Sequence, residues 1–156
     1  MSAASTATAG ATTAVKLSRA DRNFFEKAAK SGMKEVSVSK ATLDRLMNPQ
    51  AKAFAQMMVS DHSKANSELM ELAAKKGVTL PAKDDASKLM EKWSKKTDDL
   101  DEDYMEEMVD DHQEAVELFE NASKSEDPDI AAFARKTLPT LQHHLTMAKD
   151  LKKALD

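Results

Sequence analysis

Apolar side chains recur at three- and four-residue steps through four long stretches of this chain, and each stretch is bounded by cap and breaker residues. That spacing puts one apolar stripe on each of four amphipathic helices, which can be buried only by packing the helices together. Ser18 with Asp21 reads as the start of the first helix, expected over 18–47, and Asn48-Pro49 as a stop-and-start between the first and second. The second is expected to close at Gly77, a left-handed cap candidate. Asp127-Pro128 repeats the cap-plus-proline device and opens the last helix after a third over 98–124. Pro139 falls inside that last helix and predicts a kink near Arg135.

Only 3 Gly and 4 Pro accompany these stretches, so the composition is that of long helices and a poor one for sheet. The expected fold class is all-α: a ferritin-like four-helix bundle over 18–156, preceded by a flexible Ala/Ser/Thr-rich leader over 1–17. The second and third helices are joined by a long crossover that holds Pro81 and a short amphipathic helix around Leu89, Met90 and Trp93. That short helix is expected to cover one end of the bundle.

The 23 basic and 27 acidic residues are interspersed, giving a net charge of -4 with no basic stripe to neutralise a phosphate backbone, so nucleic acid is not an expected partner. No stretch approaches the ~20 apolar residues that span a bilayer. With no cysteine, a metal site must draw on His, Asp, Glu or Met. The 10 methionines are scattered at helical positions without a Met-x-Met cluster and read as core filling. The acidic run from Asp98 to Glu107 reads as a solvated helix start. No phosphate loop, dinucleotide fingerprint or nucleophile elbow occurs, and no residue is assigned a catalytic role.

Each apolar stripe carries one polar member: Glu35, His62, His112 and His144, in helix order. Counting from the Asn48 turn places Glu35 and His62 level. Counting from Glu126 leaves His112 and His144 about one turn, ~5 Å, out of step. The converging set predicts a site for one transition metal ion, with imidazole suited to zinc, copper or iron and the carboxylate offsetting charge. Asp61 and Asp111 each precede a His and point ~100° away from it. They are candidates to accept from an imidazole on a neighbouring helix and fix its tautomer. His143 is expected to be exposed. The other reading of the same four residues is a buried polar layer that hydrogen-bonds internally and sets helix register without binding anything.

Met58-Val59-Ser60-Asp61-His62-Ser63-Lys64-Ala65 matches Met108-Val109-Asp110-Asp111-His112-Gln113-Glu114-Ala115 at an offset of 50 residues, which suggests two related helical hairpins. Together with Phe24 to Glu35, Lys75-Lys76-Gly77-Val78-Thr79-Leu80-Pro81, Tyr104 and Thr137-Leu138-Pro139-Thr140-Leu141, these motifs resemble the bacterial domain-of-unknown-function family numbered 4142. The resemblance covers nearly everything after residue 17. It implies a ferritin-like fold and an exported protein of the periplasm or cell envelope, and little about activity; the function expected from the Glu35, His62, His112 and His144 layer is metal binding or stress protection. The alternative is a non-catalytic envelope stress or interaction module, with homo-oligomers allowed. The Glu-x-x-His pattern of di-iron carboxylate proteins is absent, since Val59, Val109 and Leu141 stand three residues before the histidines.

Overall fold

The computed structural model describes residues 16–156, and among them the chain is all-α, with five helices and no strand. They are α1 (Arg19–Leu43), α2 (Pro49–Lys75), α3 (Ser87–Ser94), α4 (Leu100–Ala122) and α5 (Pro128–Leu155). The expected leader lies outside the described residues except for its last two members, of which Leu17 is buried beside Phe24 and Phe25.

The start signals work through the bonds their residue types provide. Asp21 N donates to Ser18 Oγ at 3.0 Å and Ser18 N to Asp21 Oδ2 at 3.3 Å, a reciprocal cap that satisfies two otherwise unpaired donors. Asn48 Oδ1 accepts from the amides of Gln50 and Ala51, and Asp127 Oδ1 from those of Asp129 and Ile130. Gly77 takes the left-handed conformation, φ 71°, and ends the turn after α2. α1 stops four residues short of the expected Met47. The carboxylate of Asp101 accepts from the amides of Met47 and Asn48, and the Arg45 guanidinium donates to the carbonyls of Trp93 and Lys96; both draw the chain out of the helix. Helix α5 runs unbroken through Pro139.

Side-chain pairs give the directions. Phe24 meets Phe119 and Ser39 meets Tyr104, so α1 and α4 run antiparallel. Asp61 pairs with His144, Glu68 with Lys136 and Lys76 with Asp129, so α2 and α5 also run antiparallel. Phe54 beside Tyr104 and His62 beside His112 make α2 and α4 parallel. The segment between them returns along the molecule: Val78 and Leu80 pack on the cluster around Phe24, whereas Ala86, Leu89 and Trp93 pack on the cluster around Tyr104. Trp93 is buried there, covering that end.

The core is accordingly in two parts. One cluster holds Val38, Phe54, Met58, Tyr104, Met108 and Ala148; the other holds Phe24, Ala29, Leu69, Ala115, Phe119 and Leu141. On each long helix the change from one cluster to the other occurs around a single buried polar residue, Glu35, His62, His112 or His144.

Of the caps, Asp127 is the most enclosed, with no exposed surface and Lys76 Nζ 3.0 Å from its Oδ2. Asp127→Ala removes a cap and leaves a largely buried ammonium short of one partner, so it is expected to lower stability by about 2 kcal/mol, against about 1 kcal/mol for Asn48→Ala. Urea titrations of the two variants check the order.

Candidate metal centre

His62, His112 and His144 face inward because each continues an apolar line of its helix, Met58–His62, Met108–His112 and Leu141–His144–Ala148. They are 6%, 1% and 1% exposed. Their ring centroids lie 5.3–5.5 Å apart, and one nitrogen from each ring falls within 4.8 Å of the other two. The one-turn mismatch counted from the sequence does not keep His144 out. Phe54 sets its ring edge-on to His112 and His144, at 6.3 and 6.4 Å, and forms an apolar wall.

Hydrogen bonds fix two of the tautomers. His112 Nδ1 lies 2.8 Å from the carbonyl of Met108, which only accepts, so that nitrogen carries the proton and Nε2 keeps its lone pair. His144 Nε2 donates to Asp61 Oδ2 at 2.8 Å, which leaves Nδ1, buried and without a partner, as its free nitrogen. His62 Nε2 lies 3.4 Å from His112 Nε2 and donates to it in the metal-free protein; in its other tautomer His62 also turns a lone pair inward. Burial holds all three rings below the usual imidazole range, His112 at about 4, with neighbouring imidazoles adding to the effect at His62 and Asp61 opposing it at His144. The rings are therefore neutral at pH 7, the form that ligates metals. Asp61, whose side chain is 40% exposed, completes a carboxylate–histidine relay from solvent to the site.

The two remaining sequence candidates are placed differently. Glu35 is 1% exposed at the same level of the core, yet the convergent set is the three histidines, and its carboxyl lies within hydrogen-bonding reach of Asp111. Asp111 turns away from the imidazoles toward Lys34, whose ammonium donates to Asp111 Oδ1 at 3.0 Å and to Glu107 Oε2 at 2.7 Å. Glu35 Oε1 and Asp111 Oδ2 are buried without a hydrogen-bond donor, and ionised carboxylates brought this close repel one another, which favours a protonated form. Burial and the Asp111 charge raise Glu35 well above the carboxylate range; burial and Glu107 bring Asp111 to about 7. Sequence reasoning missed this network. Its signal was available in Lys34 beside Glu35 and in Glu107 and Asp111 one turn apart on α4. His143 is exposed, as expected.

A carboxyl whose folded-state pKa is raised stabilises the fold fully below its unfolded value, and that contribution is lost as pH rises toward the folded value. Glu35→Gln keeps the shape and a donor toward Asp111 but holds no titrating proton. The variant is expected to match the parent near pH 4.5 and to gain on it progressively as pH rises toward 8. Urea midpoints measured across that range check the sign and the trend.

No curated protein and no solved structure matches the chain. Residues 5–151 match the family described as Domain of unknown function (DUF4142), and the chain belongs to that family.

Proposed function

We propose that this protein is an exported, ferritin-like four-helix bundle that binds one transition metal ion on His62, His112 and His144, for metal buffering or protection against metal stress. The observation that carries the reading is the convergence of three buried, neutral imidazoles with one nitrogen each within 4.8 Å of the others. Asp61 stands behind His144 as the orienting carboxylate. The ferritin-like topology is supported by the parallel run of α2 and α4 and by the long segment that joins them. Export rests on the family resemblance. Imidazole ligands suit zinc, copper and iron alike.

The bonds already present favour a second reading. His62 to His112, His112 to Met108 and His144 to Asp61 leave few ring nitrogens unpaired without any metal. The layer then serves only to set helix register in an envelope interaction module. Elemental analysis after exhaustive dialysis, paired with thermal melts against zinc, copper and iron, separates the two. The metal reading expects about one equivalent of a single metal and a stabilisation of roughly 3 kcal/mol at a hundredfold excess over Kd, lost in the His62→Ala/His112→Ala double variant. No bound metal and unmoved melts would leave the structural reading.

A further inference from the structure

A groove runs along the outside of the seam between α2 and α5, walled by Phe54 and Met57 from α2 and by Met147 and Leu151 from α5. Across this antiparallel seam Asp61 faces His144. Met57 stands four residues before Asp61 and Met147 three after His144, so both belong to the next turn of their helices and lie on the same side of the seam. Both are half-buried, neither locked in the core nor free in water. Phe54, at the groove's inner side, is fully buried and touches two of the three imidazoles edge-on. Phe54 thus borders both the groove and the histidine triad.

Scattered in sequence, the methionines look like filling; the fold brings Met57 and Met147 into one groove, one turn from an imidazole cluster. Thioethers select copper(I) and are poor ligands for harder divalent ions. Charge points the same way. The triad offers three neutral rings and a single carboxylate behind one of them, and the cost of burying an ion rises with the square of its charge. A monovalent ion is balanced by Asp61 alone, whereas a divalent ion is left with uncompensated charge in an apolar wall.

Resting on the reading of the triad as a metal centre, we propose that it takes copper(I) and that Met57 and Met147 form the entry site from which the ion passes Phe54 to reach His62, His112 and His144. The ion enters and stays as copper(I), so no electron is transferred.

The test loads the full chain anaerobically with copper(I) held by a chromophoric chelator and follows transfer in time, with zinc(II) titrated in parallel. The parent is expected to take about one equivalent and to hold copper(I) more tightly than zinc. Met57→Leu/Met147→Leu conserves volume and the fold, and is expected to slow loading by roughly tenfold or more while reaching the same final stoichiometry and affinity. His62→Ala/His112→Ala should abolish retention. Unchanged loading in the methionine variant overturns the entry site, and zinc held as tightly as copper(I) overturns the choice of ion; either leaves the triad standing as a metal centre. A parent that retains no metal overturns both.

Discussion

Four polar side chains buried at one level of the core, Glu35 and three histidines, set the terms for the rest of this fold. Each costs free energy to remove from water unless it finds a partner, and the partners available lie on other helices or one turn away. His62 meets His112, His144 meets Asp61, and Glu35 meets Asp111. Sliding any long helix by one turn would strand at least one of these groups against the Phe24 or Tyr104 cluster. Apolar packing alone tolerates such slips, because one leucine or alanine layer resembles the next.

The same bonds hold the two hairpins to each other. α1 packs most closely on α2, and α4 on α5, each pair joined by a short capped turn. Between the hairpins the helices approach less closely and side chains bridge them: Lys34 to Glu107 and Asp111, Ser39 to Tyr104, Glu68 to Lys136 and Asp61 to His144. On the α1–α4 side the bridge carries carboxyl groups and an ammonium; on the α2–α5 side it carries an imidazole and a half-exposed carboxylate. The core thus has one face where buried carboxyls meet an ammonium and another that connects the imidazoles to solvent.

Much of this was legible in the sequence because it was written in local chemistry. The caps at Ser18, Asn48 and Asp127 act through bonds spanning two or three residues, and the polar member of each stripe is visible from the periodicity of its own helix. The early end of α1 was not legible, since Asp101, more than fifty residues away, draws it out. Nor was the division between Asp61 and Asp111. Both precede a histidine and both point about a quarter-turn away from it, but which helix lies there depends on how the hairpins dock. Asp61 meets α5 and finds His144; Asp111 meets α1 and finds Lys34.

That asymmetry also bears on the repeated Asp-His element. A duplicated hairpin would match α1 with α4 and α2 with α5, yet the repeat matches α2 with α4, the second helix of one hairpin with the first of the other. These two run parallel and face one another across the core, so corresponding residues stand at the same height, and His62 and His112 meet nitrogen to nitrogen. Antiparallel neighbours carrying the same element would align at one level only, fixed by the length of the turn between them. Parallel helices align at every level once they align at one. The long return segment through α3 makes α2 and α4 parallel, and two copies of one short motif then deliver two imidazoles to a single point, with α5 supplying the third.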